Sequence, residues 1–247
     1  MIISHKLKVI YIKLDKVAGS SFEIALSKYC GPDDILNPIA FQEKIWKSRG
    51  YYRSAQNHER PTRKSKPSVH MGAPVVRKHV PKDVWDNYLK IAAIRCPYDA
   101  YISFYYFKKY RFQQNKREPL GKNIEEFVIK DKRVINNLRG LHEKGKIIID
   151  FLIRYENLDE DIKKLETKIE CPGLLETFQS ITAKKNIRPK ENTSNCEIYS
   201  KYPNAKLIID RRCSKLAKKY EFFQKYWPVY KSNLESAMQN HDHNSLR

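Results

Sequence analysis

A chain of 247 residues with 41% hydrophobic and 12% aromatic content can bury one sizeable core, or at most two small ones. Forty-eight Lys and Arg against 28 Asp and Glu leave a formal charge of +20, which points to an anionic partner such as nucleic acid, a nucleotide or an acidic polymer. A mean hydropathy of -0.68 implies a well-solvated surface, and runs such as VIYI and IIIDFLI are too short to span a bilayer. MIISHKLK lacks the apolar stretch of a signal peptide, so a soluble, cytoplasmic protein is expected. The five cysteines (Cys30, Cys96, Cys171, Cys196, Cys213) are scattered without zinc spacing; they read as reduced, mostly buried thiols, and no metal is expected.

LKVIYIKL (7–14) is nearly continuous β-branched and aromatic, as a strand buried on both faces would be. After a turn of small residues, Phe22, Ala25, Leu26 and Tyr29 recur at helical spacing, and CGPDD ends that helix. Residues 41–68 carry eight Lys or Arg against Glu43 and Glu59, and predict a basic, mobile loop. A short helix around 81–88 precedes a second buried strand, LKIAAIR (89–95). Pro97 suits the first turn of the next helix, with Asp99 near its positive end and Tyr101, Phe104, Tyr105 and Lys108 in register. IIIDFLIRYENL (147–158) is a third strand, followed by a helix with Leu158, Ile162, Leu165 and Ile169 on one face. The last third is helical, with Ile209, Cys213, Leu216, Tyr220 and Phe223 in register. Strands alternating with helices predict one α/β domain over 1–230, a central parallel sheet flanked by helices, with 231–247 a polar C-terminal tail.

In open α/β sheets ligands gather at the carboxyl ends of the strands. Three segments meet that condition. The first is KLDKVAGSSFEIAL (13–26), where Gly19 lets the backbone turn tightly and the amides of Ser20, Ser21 and Phe22 stand at a helix N-terminus, with Lys16 adding a point charge. The Walker pattern is absent, because the lysine precedes the only glycine. Locally the stretch is either an anion site or a helix capped by Ser20. The second is Arg95, which closes a buried strand and needs either a bound anion or a structural carboxylate; Ser103 follows eight residues on. The third is Arg154-Tyr155-Glu156, where Tyr155 either stacks on a base or packs in the core.

KxxGSS after a first strand, R-x-P-Y-D-x-x-x-S-F-Y-Y-F in the middle and RYENL later together resemble the sulfotransferase superfamily, most closely its carbohydrate-sulfotransferase branch and soluble bacterial relatives. The likeness runs from about residue 1 to 227. It implies 3′-phosphoadenosine 5′-phosphosulfate (PAPS) as the sulfuryl donor, with adenosine 3′,5′-bisphosphate (PAP) as product and no metal. It gives a P-loop-like 5′-phosphosulfate loop to Lys16, Ala18, Gly19, Ser20, Ser21 and Phe22, the 3′-phosphate to Arg95 and Ser103, and the adenine side to Tyr155. KKNIRPKENTSN resembles a segment that closes over the nucleotide, which adds Arg188 and Lys190. The implied reaction is transfer of a sulfuryl group to an acceptor hydroxyl, with a carbohydrate the favoured acceptor. Lys16 would stabilise the leaving phosphate, and His70, at a family position between the two phosphate motifs, would be the general base, ahead of His58 and His79.

Three positions depart from the family pattern: Asp15 before the lysine, Val17 where a threonine is usual, and Cys96 where asparagine is common. The charge and the FYYFKKYRF stretch keep a nucleic-acid-binding protein as the alternative, although no RNA- or DNA-binding motif is present. A nucleotide or small-molecule kinase is the third reading, weakened by the missing Walker lysine.

Overall fold

A computed structural model describes residues 1–38, 54–58, 71–114, 121–181, 187–189, 191 and 194–245. Strand β1 (Ile2–Ser4) turns into β2 (Val9–Ile12), helix α1 (Gly19–Ser27) follows, and then β3 (Ile35–Leu36). Helices α2 (Ala73–His79) and α3 (Lys82–Asn87) lead into β4 (Leu89–Ile94) and α4 (Pro97–Gln114). Next come α5 (Ile124–Lys130), α6 (Arg133–Arg139), β5 (His142–Glu143), β6 (Lys146–Ile147) and β7 (Phe151–Arg154). Helices α7 (Leu158–Lys168), α8 (Leu174–Gln179), α9 (Asn195–Lys201), α10 (Pro203–Ala217) and α11 (Glu221–Ser245) complete the order. The contacts group the chain into two compact units, Met1–Arg95 with Gly140–Glu143 and Ile148–Lys184, and Cys96–Arg139 with Lys144–Ile147 and Lys185–Arg247.

The first unit is built on a sheet of order β3-β1-β2-β4-β7. β2, β4 and β7 run parallel, with Ile12 opposite Ala92 and Ile94 opposite Arg154. Val9, Ile10, Tyr11 and Ile12 are all buried, as a strand covered on both faces requires. Helix α1 packs on α8, and α7 on both α8 and β7, so the α/β class holds. The sheet is mixed rather than wholly parallel, because β1 pairs antiparallel with both β2 and β3. Asp34 explains the extra edge. Its buried carboxylate accepts bonds from Ser4 Oγ and from the amides of Gly31, His5 and Lys6, which fixes the β1–β2 turn. Burial works against that carboxylate's charge, yet these four donors hold its pKa below the ordinary value.

The second unit is largely helical. Tyr98, Tyr101, Ile102 and Phe104 of α4 are buried, Tyr98 Oη donates to Asp210 on α10, and Tyr199 Oη donates to the Tyr98 carbonyl at 2.8 Å. Arg212 donates to the carbonyls of Val128, Ile129 and Asp131, satisfying the open C-terminal end of α5. The stretch set apart as a polar tail continues α11 as far as Ser245. Phe223, Trp227 and Leu234 recur on its buried side, so packing decides over the polar composition. Among the described residues no helix is long and apolar enough to cross a membrane. Most of the 41–68 segment lies outside the described residues; within it, Gln56 exchanges backbone bonds with Leu36 at 2.9 and 3.0 Å.

The segment that follows residue 70 is fixed by a contact between two glycines. A Cβ at Gly72 would lie 2.9 Å from the Gly140 Cα, and the Ala73 amide donates to the Gly140 carbonyl at 2.7 Å. Backbone on both sides leaves nothing soft to yield. Gly72→Ala is expected to destabilise the protein by about 1–3 kcal/mol, the usual range for overpacking, and to lower the melting temperature by several degrees; an unchanged melting temperature would show that the contact is loose.

Candidate functional site

The carboxyl ends of the three parallel strands carry the loop 13–18 after β2, Arg95 after β4 and Tyr155 after β7. From β2 the chain leaves through α1 towards β3, whereas β4 lies on the other side of β2. Such a reversal of direction opens the crevice in which α/β proteins receive ligands.

The loop is held in an uncommon shape. Lys16 and Ala18 both take left-handed backbone angles, φ 64° and 57°. Each such non-glycine residue costs about 1–3 kcal/mol and persists only when its surroundings demand it. Leu14 and Val17 are buried and anchor the loop from below, so the valine that replaces a threonine acts as a packing residue. Left-handed residues on either side of Val17 belong to the kind of backbone whose N–H groups converge on an anion.

Ala18 is the N-cap of α1, and no side chain caps it. Ser20 therefore sits inside the first turn, and the helix-cap reading of that serine falls. The Phe22 amide donates to the Ala18 carbonyl at 3.2 Å, closing the first turn, and its ring is buried against Tyr11 with centroids 4.8 Å apart. The donor role expected of Phe22 thus moves one residue back, to the amides of Gly19, Ser20 and Ser21 at the positive end of the helix. A Cβ at Gly19 would lie 3.0 Å from Tyr11 Oη and 3.1 Å from Lys13 Cγ, so the start of α1 lies against β2 as closely as a glycine allows.

Arg95 draws the three strand ends together. Its side chain is buried, its Nη1 donates to the Lys16 carbonyl at 2.8 Å, and its guanidinium lies 3.6 Å from the centre of the Tyr155 ring. Lys16 itself is half-buried. Burial, and then the neighbouring Arg95 charge, lower its pKa from 10.5 to about 7, against an opposing pull from Asp15. Asp15 therefore helps to keep Lys16 charged.

Ser103 stands half-buried on α4, in the second unit. Arg188 pairs with Asp99 in the first turn of α4, within the same unit. His70 and Lys190 lie outside the described residues. His58 is half-buried in the short 54–58 segment. His79 ends α2 and donates through Nδ1 to the Val75 carbonyl at 2.7 Å, which fixes the proton on that nitrogen. Arg154, at the same kind of strand end as Arg95, is taken up by Asp161, to which Nε and Nη2 donate at 2.8 and 2.6 Å. It is a structural residue.

Three polar residues beneath the loop escaped sequence reasoning: Tyr11, Lys13 and Glu23, all buried. The signal was present as charges interrupting otherwise apolar patterns at residues 13 and 23, but their pairing is visible only in space. Tyr11 Oη has no hydrogen-bond partner among the described residues, and burial followed by the Glu23 charge raises its pKa well above the ordinary value. Deleting a buried hydroxyl that has no partner removes a desolvation penalty. Tyr11→Phe is therefore expected to keep or raise the melting temperature; a fall of several degrees would reveal a partner for the hydroxyl.

Residues 1–222 match the family model described as "Sulfotransferase family". An "uncharacterized protein" of Archaeoglobus fulgidus is 32% identical over 118 residues, which cover 48% of this chain and 98% of that protein. No solved structure matches the chain. The family match takes in every strand of the sheet together with the three strand-end segments. The chain belongs to the sulfotransferase family.

Proposed function

We propose that this chain transfers a sulfuryl group from PAPS to a hydroxyl of its acceptor, with a carbohydrate the favoured acceptor. The observation that carries the reading is the bond from Arg95 to the Lys16 carbonyl, which sets two cationic side chains and the N-terminus of α1 around one strand edge. The residues fit a nucleotide with two anionic groups: backbone donors at a helix start, a half-buried amine and a buried guanidinium, with Tyr155 beside it. PAPS, when bound, supplies a sulfuryl group on a phosphate leaving group.

In this reading Gly19, Ser20 and Ser21 offer their amides to the 5′-phosphosulfate, and Lys16 neutralises charge growing on the leaving phosphate oxygen. Ala18 shapes the turn, and Phe22 anchors it from the core. Arg95 and Ser103 serve the 3′-phosphate, Tyr155 borders the adenine, and Arg188 and Lys190 are secondary phosphate contacts. His70 takes the proton of the acceptor hydroxyl, with His58 and His79 next in order. The chain's surplus of cations suits an acidic polysaccharide acceptor, since like charges on both partners would oppose encounter.

PAP should raise the melting temperature, and Lys16→Ala or Arg95→Ala should each remove most of that shift; no shift at millimolar PAP would overturn the reading. With acceptor and radiolabelled PAPS, Lys16→Ala is expected to lower kcat about 10²–10³-fold, the range for losing one stabilising donor. His70→Ala should abolish most turnover, and full activity in that variant would reassign the base.

The lowered pKa of Lys16 adds a proton signature. Above about pH 7 the unliganded amine is mostly neutral, whereas an arriving dianion favours the ammonium. Calorimetry at pH 8 in buffers of different ionisation enthalpy should show uptake of about one proton with PAP, lost in Lys16→Ala. Affinity should weaken as pH rises through about 7. For folding the sign is opposite: between about 7 and 10.5 the unfolded chain binds more protons at this residue, so its contribution to stability of the unliganded protein rises with pH.

A further inference from the structure

Beneath the loop, Lys13 Nζ donates to Glu23 Oε2 at 2.5 Å, and the Met1 nitrogen donates to Glu23 Oε1 at 2.7 Å. Lys13 is the first residue beyond β2, and Glu23 is the fifth residue of α1, so the pair closes the base of the chain that contains Lys16 and Ala18. Both side chains are buried. A buried ion pair gives little net stability over an apolar pair of similar size, because desolvation offsets the attraction. Its distinctive property is directional: it holds one spacing between strand and helix, whereas an apolar pair slides. The same spacing is what the loop needs. A Cβ at Gly19 would crowd Tyr11 Oη and Lys13 Cγ, and two left-handed residues lie between the paired ends.

We infer that Lys13 and Glu23 are positioning residues, a strut that holds the 13–23 segment in its anion-receiving shape. The inference rests on the sulfotransferase reading for what the loop receives, but the strut acts on the loop whether or not that ligand is correct. Neither residue touches the ligand; they act through the placement of Lys16 and the first amides of α1. Displacement of such groups by a fraction of an ångström is enough to cost about 10- to 100-fold in binding or rate.

The test is Lys13→Met, which removes the strut with a neutral group of similar volume and leaves Glu23 its ion pair with the Met1 ammonium, so no buried charge is left uncompensated. Hydrogen exchange on the unliganded protein should show residues 14–22 losing about tenfold or more of their protection, with β4 and β7 unchanged and the melting temperature within a few degrees. PAP affinity should fall about 10- to 100-fold, and Lys13→Arg alone, which keeps the charge, should retain most of it. Unchanged exchange in 14–22, or protection lost equally across β4 and β7, would overturn the strut. If wild-type protein fails to bind PAP, the sulfotransferase reading falls, while the exchange experiment still decides the strut.

Discussion

The Arg95 guanidinium is the constraint on which the rest of the site depends. It is buried at the end of β4, where an unsatisfied charge would be expensive, and it meets that cost in two ways at once. Its Nη1 binds the Lys16 carbonyl in the loop after β2, and its face lies on the Tyr155 ring after β7. Three strand ends that are adjacent only through the sheet become adjacent through one side chain. The bond falls on the carbonyl of a residue with left-handed backbone, so it helps to maintain a conformation that the chain would otherwise leave.

That geometry sets the electrostatics. Burial, and then the neighbouring Arg95 charge, disfavour the ammonium of Lys16, which is why that lysine titrates near neutrality. Asp15, a departure from the family pattern, offsets part of this by favouring the ammonium. The loop amine is therefore close to the balance between neutral and charged forms near neutral pH.

The sequence made the buried strands legible because VIYI and IAAI are continuous apolar runs, and their order with the helices was enough for an α/β fold. It did not reveal β1 and β3, which have three and two residues and no periodicity of their own; they exist because Asp34 gathers four donors around a turn. Lys16 and Gly19 could be found from spacing, yet the choice between a Ser20 cap and an open helix end needed the backbone of Ala18, whose left-handed angle no propensity anticipates. Arg95 and Arg154 carried identical signals at strand ends. Asp161, seven residues beyond Arg154 in the first turn of α7, is what separates them, and only the fold brings that carboxylate back to the strand.

The two strand-end arginines also show how one sheet edge can satisfy the same buried group with different partners. Arg154 satisfies its guanidinium with a carboxylate held below its ordinary pKa, burial opposing and Arg154's own bonds prevailing, so the pair is neutral overall. The partners of Arg95 include a carbonyl and an aromatic face, both of which accommodate a cation without cancelling its charge.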